Sequence, residues 1–311
     1  MREDRPLIGI LLMLCFCVVA PMSDALAKLL GGTVSLLVLL VVRFGVQAAI
    51  LTPILGLRAG AWSLERRHWR LMVVRTALHI AGIALMFTAL RFLPLADAIA
   101  IAFVMPFILL LMGHFILGEE VGSRRIVACI VGFIGTLLVI QPSFASVGAP
   151  ALLPLGVAVI FAAFMLVTRM VARDIDPISL QAINGVMASA VLLPALGIAF
   201  ALGLDRIEPG VLTVRVLWLL LALGLVGTLA HLIMSLSLRF APASTLAPMQ
   251  YLEIPVAAVV GWVMFRDFPN GLALAGIAIT ISAGLYIVFR ERALSRGIAP
   301  TEQPQAPPAG G

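Results

Sequence analysis

Apolar stretches long enough to cross a lipid bilayer follow one another almost without a break from residue 7 to residue 289. A helix rises 1.5 Å per residue, so about 20 apolar residues span the hydrocarbon core. Ten such stretches are readable: Leu7–Ala27, Val34–Leu55, Leu71–Arg91, Leu95–Leu117, Ile126–Gln141, Leu152–Val171, Ser179–Ala201, Arg215–Leu238, Pro242–Phe265 and Leu272–Phe289. With 62% hydrophobic and 12% charged residues in 311, the chain has more apolar surface than a soluble core can hide. The connections leave no room for a soluble domain. The expected fold class is an all-α integral membrane protein of ten transmembrane helices.

The second five stretches echo the first five. Leu90-Arg91-Phe92-Leu93-Pro94 returns as Leu238-Arg239-Phe240-Ala241-Pro242, with Gly113 and Glu119 matched in register by Gly261 and Asp267. Gly45-Val46 with Pro53-Ile54-Leu55-Gly56 returns as Gly185-Val186 with Pro194-Ala195-Leu196-Gly197. An odd-numbered block repeated in sequence emerges upside down in the bilayer, a common plan of secondary transporters. The expected units are 1–145 and 146–292, each of five helices in inverted topology, followed by a disordered cytoplasmic tail, 293–311, rich in Pro and Ala towards its end.

Charge gives an orientation. With the N-terminus inside, the inner segments hold fourteen Arg and the outer ones four Arg and Lys28. That is a positive-inside pattern with both termini cytoplasmic. The net charge of +6 is therefore a topology signal and gives no support to nucleic-acid binding. Arg2 and Arg5, an apolar run and then Ala25-Leu26-Ala27 imitate a cleavable secretory signal. Retention of the first helix is expected, because its loss would break the five-plus-five repeat. Cys15, Cys17 and Cys129 have neither metal-ligand nor disulfide spacing and read as packing residues. No metal or cofactor is expected.

Ionisable groups inside a span are costly and mark function by default. Glu253 lies about 16 Å into its span at helical rise, where insertion of a charge costs at least about 2.5–3.5 kcal/mol. Burial favours the neutral acid, which makes Glu253 a candidate proton carrier or substrate-binding group; the alternative is a protonated or Arg-paired acid that ties helices together. Pro248 and Pro255 flank it, and Pro255 disrupts the helix at the Tyr251 carbonyl. Gln250, one turn before Glu253, is expected on the same face. Pro106 supplies the matching break in the fourth span, so Pro106, Pro248 and Pro255 are the candidate helix breaks at a midplane site.

Arg43 lies far from either surface and stays charged, with a planar fork suited to carboxylates or phosphates. It is a candidate for holding an anionic substrate group or neutralising Glu253; a fixed contact to backbone carbonyls is the other reading. Arg75 and His79 share a face at i, i+4, with Arg75 expected to snorkel to the headgroups and His79 to reach the cavity. His231 is a candidate proton shuttle. Asn184, Gln47 and Gln181 are candidate hydrogen-bonding groups for a solute or between helices. Asp24 and Asp97 sit near the outer ends of their spans; guarding an outer entrance is one reading for each, and an interfacial acid that simply faces water is the other.

These residues also carry a resemblance. Arg43-Phe44, Phe87-Thr88-Ala89-Leu90 leading into Pro94-Leu95-Ala96-Asp97-Ala98, Pro106, Gly118-Glu119-Glu120 and Gly132-Phe133-Ile134-Gly135 resemble the drug/metabolite transporter superfamily, in its ten-helix EamA-type branch. The resemblance covers residues 7 to 290. It implies an inner-membrane carrier with a cavity between two inverted halves, working by alternating access. Arg266-Asp267-Phe268-Pro269 departs from the pattern, in which an acid after Gly is more common. The segment Ala247-Pro248-Met249-Gln250-Tyr251-Leu252-Glu253 resembles the subset that includes riboflavin, S-adenosylmethionine and metallophore transporters, and brings Tyr251 into the candidate site.

The expected function is a secondary transporter for a small polar organic metabolite, with riboflavin uptake as the first substrate the resemblance implies and protons as the candidate coupling ion. Export of amino-acid-like metabolites or a metallophore is the alternative. No Walker-type phosphate loop is present to couple ATP directly. A lipid-modifying membrane enzyme would need a nucleophile–base pair or clustered metal ligands, and the four histidines are scattered. A passive channel is the remaining reading. The expected partners are the substrate and the lipid bilayer, in a monomer or homodimer. Twenty Arg against one Lys suits a high-GC Gram-negative bacterium.

Overall fold

Hydrocarbon offers no hydrogen bonds, so a chain of this hydropathy must satisfy its backbone internally, and helices do so segment by segment. The computed structural model describes residues 5–56, 66–118, 122–140, 148–172, 174–205, 212–266 and 271–297. Among them every regular element is helical and there is no strand. In chain order the α-helices are α1 (Pro6–Leu30), α2 (Leu36–Gly56), α3 (Arg66–Ala89), α4 (Leu95–Ala102), α5 (Met105–Leu117), α6 (Ser123–Ile140), α7 (Leu153–Ala172), α8 (Pro177–Ala201), α9 (Val214–Phe240), α10 (Ala243–Gln250), α11 (Glu253–Phe265) and α12 (Gly271–Gly297). A 3-10 turn, Ala149–Leu152, precedes α7.

Seven stretches are long and apolar enough to cross a membrane, among them Leu95–Leu117, which holds both α4 and α5. Ile126–Gly135, Glu253–Phe265 and Leu274–Ala283 are shorter apolar pieces. α12 continues through Gly297, so residues 293–297, expected in the tail, belong to this last helix; its apolar run simply carries on into a helix-favouring Arg-Glu-Arg-Ala-Leu segment. Residues 298–311 lie outside the described part of the chain, as do Glu119, Glu120 and Asp267.

The expected fourth and ninth stretches are each two helices. α4 ends at Ala102, Phe103 closes a tighter turn by donating to the Ala100 carbonyl at 3.2 Å, and α5 starts at Met105 with Pro106 in its first turn. α10 ends at Gln250, and Leu252 and Ile254 donate three residues back to Met249 and Tyr251, at 3.1 and 3.3 Å. Pro255 then sits in the first turn of α11, where the missing N–H is no loss.

α1 packs most extensively against α9, α2 against α8, α3 against α7 and α6 against α12. Small residues allow these approaches. A Cβ on Gly185 of α8 would stand 2.9 Å from the backbone nitrogen of Ala48 in α2, and one on Gly224 of α9 would meet the Val46 side chain. The ends are tied by polar contacts to backbone: Lys28 Nζ donates to the Leu93 carbonyl at 2.5 Å and Arg91 to the Val34 carbonyl at 3.0 Å. Asp176 caps α8 by accepting from the backbone N–H of Ile178 and Ser179.

Gly185→Val is expected to force α2 and α8 apart, because the obstacle is backbone, at an overpacking cost of about 1–3 kcal/mol. A thermal-unfolding scan in detergent should show a lower midpoint for this variant, whereas Gly197→Val on the same helix, where a Cβ meets nothing within 4 Å, should leave it unchanged.

Candidate functional site

Two polar features lie side by side in the interior, and one histidine belongs to both. The first is a closed network. Arg43 of α2 is wholly buried; its Nη1 donates to Gln47 Oε1 at 3.0 Å and its Nη2 to His231 Nδ1 at 2.9 Å. The obligate donors of the guanidinium orient everything after them. With Gln47 Oε1 accepting from Arg43, Gln47 Nε2 donates to the Gln181 carbonyl and to Gln181 Oε1, at 2.7 and 3.0 Å. Gln181 Nε2 in turn donates to Ser235 Oγ and to the His231 carbonyl. Gly227 gives Arg43 its room: a Cβ there would come 2.6 Å from Arg43 Cζ.

A second buried arginine continues the network. Arg75 of α3 donates to Thr168 Oγ1 and to Asn184 Oδ1, both at 2.9 Å, and its guanidinium carbon lies 4.7 Å from the Phe164 ring centre. Arg75 therefore does not snorkel. Acceptors on α7 and α8 satisfy it inside the bundle, which a one-helix reading of its position could not show. Asn184 Oδ1 faces an obligate donor, so its Nδ2 faces His79 Nδ1, at 3.0 Å. His79 then carries its proton on Nε2. The His79 ring stacks on Phe164 at 4.5 Å and lies 4.3 Å from the His231 ring. His231 Nδ1 also lies 3.1 Å from the Gly227 carbonyl; because Arg43 can only donate, Nδ1 is the acceptor and Nε2 holds the proton. Among the described residues both Nε2 atoms are without a partner, as are Arg43 Nε and Arg75 Nη2.

The second feature is an open-mouthed cavity whose empty space, solvent at the mouth included, amounts to about 660 Å³. Phe16, Phe103 and Phe161 line it, as do Met86, Met105 and Met165. Its ionisable lining groups are Asp24, His231 and Glu253. Glu253 is the first residue of α11 and 7% exposed. It stands directly after the helix interruption, where unpaired N–H groups of the new helix favour a negative charge. His231 is 6% exposed, and its ring joins the cavity wall to the network behind it.

The structure brings only part of the expected constellation together. Glu253 and His231 line the cavity, while Arg43, His79, Gln250 and Tyr251 do not. Among the described residues no ion pair joins Arg43 to Glu253; the Arg43 fork is taken up by Gln47 and His231. Gln250 and Glu253 fall on separate helices, and Gln250 Nε2 turns to the Met165 sulfur at 3.0 Å. Tyr251 is buried against Gly132, where a Cβ would meet its ring at 2.6 Å, and near Phe103. Its hydroxyl has no partner among the described residues. Pro106 borders the interruption of the fourth stretch and Pro255 that of the ninth; Pro248 lies within α10, and its side chain is outside the described part.

Asp24 is the lining residue that sequence position undervalues. α1 runs on to Leu30, so Asp24 is about 9 Å from the helix end at 1.5 Å per residue, and not at the rim as a span ending at Ala27 implies. A usable signal exists in the chain: Phe16, Ala20, Ser23 and Asp24 recur at helical spacing, and all four line the cavity. Among the described residues no three His, Cys, Asp or Glu side chains gather as metal ligands.

Comparison with known proteins gives this arrangement a family. The EamA-like transporter family is matched twice, at residues 7–141 and 149–290. The chain belongs to that family. It is a multi-pass membrane protein and a transporter, not an enzyme. The riboflavin transporter of Brucella anthropi is 30% identical over 251 residues, 81% of this chain and 87% of its own. The S-adenosylmethionine uptake transporter of Rickettsia bellii is 26% identical over 94% of this chain and 97% of its own, and the pseudopaline exporter of Pseudomonas aeruginosa is 26% identical over 93% and 96%. A solved crystal structure shares the fold over 92% of this chain and 97% of its own, with a TM-score of 0.71 at 20% identity.

In this EamA-like transporter Arg43→Ala is expected to leave His231 Nδ1 and Gln47 Oε1 without their donor, at about 1–3 kcal/mol for each buried group. Arg43→Lys should recover only part of this, since one ammonium does not reproduce the fork. Unfolding midpoints of the purified variants check the order wild type, Lys, Ala; a fully stable Lys variant would show that one donor suffices.

Proposed function

We propose that this chain is a secondary transporter that moves a small polar organic metabolite across a bacterial inner membrane by alternating access, with riboflavin uptake as the leading substrate assignment. The observation that carries the reading is an interior cavity walled by aromatic and thioether side chains, with an acid from one helix break, Glu253, in its wall. Aromatic and thioether walls suit a flat ring system, and the few polar lining groups suit hydroxyl and imide donors. Two riboflavin transporters at 30% identity, from Brucella anthropi and Rhizobium johnstonii, support the flavin assignment. Export of a metallophore is the second reading, favoured by the similarity to the pseudopaline exporter.

Ten spans in two inverted halves, with both termini cytoplasmic, complete the reading. Two consecutive family matches of similar length support it, as do the helix pairings. Counting α4 with α5 and α10 with α11 as single spans, exchanging the first five for the second five leaves the pairings α1–α9, α3–α7, α2–α8 and α6–α12 unchanged as a set. The C-terminal halves of α1 and α3 and the N-terminal half of α7 line the cavity. With the basic loops inside, that is its outer side, and the arginine–histidine network closes the way inward.

In this mechanism Glu253 is the group whose charge changes during the cycle, taking a proton or a substrate donor from the cavity. Glu253→Gln is expected to give a folded, membrane-inserted protein without concentrative uptake. Labelled riboflavin uptake in an auxotroph lacking its own importer tests this. Accumulation by the Gln variant equal to wild type overturns the role of Glu253, and no uptake by well-expressed wild type overturns the flavin assignment.

A further inference from the structure

The cavity contains two carboxyl groups and no cationic side chain. Asp24 comes from α1 and Glu253 from α11, and they lie near enough for their charges to interact. Arg43 lies near enough to Asp24 for their charges to interact but is not a lining group of the cavity. Arg43 donates to Gln47 and His231 and is walled in by Gly227. Lys28 and Arg91 are turned to backbone carbonyls at the ends of the bundle. The third ionisable lining group is His231, more than nine-tenths buried, whose Nε2 has no partner among the described residues.

The walls point the same way. Phe16, Phe103 and Phe161 present aromatic surface, and aromatic faces attract cations. An anionic group entering here would lose its hydration and face two carboxyls. A positively charged group, or one rich in hydrogen-bond donors, finds acceptors on two sides.

We propose that Asp24 is a specificity-determining residue of this cavity. With Glu253 it forms a two-sided acceptor site that takes planar organic ligands bearing a positive charge or several hydrogen-bond donors, and turns away anionic ones. The inference rests on the reading of the cavity as the transport site. It places an organic cation, or an uncharged polyhydroxyl ring compound, within the substrate class, and it excludes phosphorylated forms of the same ring.

The test uses the purified full chain in detergent and two planar dyes of opposite charge, ethidium as the cation and fluorescein as the anion, followed by fluorescence polarisation. Wild type should bind ethidium saturably and show no saturable fluorescein binding. Asp24→Asn, which keeps the shape, should weaken ethidium binding by about tenfold, the order expected from losing one nearby opposite charge, and Asp24→Glu should retain most of it. Fluorescein binding as tight as ethidium, no ethidium binding to wild type, or an Asp24→Asn variant with unchanged affinity each overturns the proposal. If Asp24→Asn does not fold, the wild-type comparison and Asp24→Glu still decide. In proteoliposomes, riboflavin phosphate carried as fast as riboflavin also overturns it. Ethidium selectivity intact beside no riboflavin transport overturns the flavin assignment alone.

Discussion

A guanidinium buried inside a membrane protein keeps its charge and can only donate hydrogen bonds. Arg43 imposes that constraint on its neighbours. Because its fork must find acceptors, Gln47 presents oxygen to it, Gln181 receives the other end of Gln47, and His231 takes its proton on the far nitrogen. Three helices, α2, α8 and α9, are thereby held in one register. Gly227 belongs to the same arrangement, since any larger residue would occupy the space of the guanidinium. Arg75 repeats the principle with Thr168 and Asn184, and the two centres meet where the His79 and His231 rings face each other.

This division of labour separates fixed charge from exchangeable charge. The arginines are locked among amide and hydroxyl partners and are unavailable to a solute. The carboxyl groups Asp24 and Glu253 stand in the cavity, where a solute or a proton reaches them. His231 lines the cavity and accepts from Arg43, so one imidazole belongs to both features.

Much of the helical plan was legible because hydropathy and length are local properties. The long helices, the interruptions next to Pro106 and ahead of Pro255, and the interior position of Glu253 all follow from spacing along the chain. What could not be read is which way a buried polar group turns, because its partner lies on another helix. Arg43 was open between a substrate anion, Glu253 and backbone carbonyls, and its fork is held by Gln47 and His231; Arg75 was expected at the headgroups and is held by Thr168 and Asn184. Gln250 was placed with Glu253 by helical periodicity, and the turn between them sends it to Met165. Asp24 was undervalued for a different reason: its depth depends on where α1 ends, and helix ends are the least certain part of any reading of sequence.

The paired interruptions have a consequence for how the protein is made. To the machinery that threads a nascent chain into the bilayer, Leu95–Leu117 is one 23-residue apolar segment, and it is partitioned into lipid on its summed hydropathy. Its break therefore becomes manifest only when neighbouring helices shield the loosened backbone. The matching segment is different. Of Pro242–Phe265 only Glu253–Phe265 is an apolar helix, and the part before it carries Ser244, Thr245 and Gln250, all buried against other helices in the finished bundle. That half-helix is poorly fitted to lipid on its own, and its stable residence in the membrane comes after α1, α5 and α6 are there to receive it.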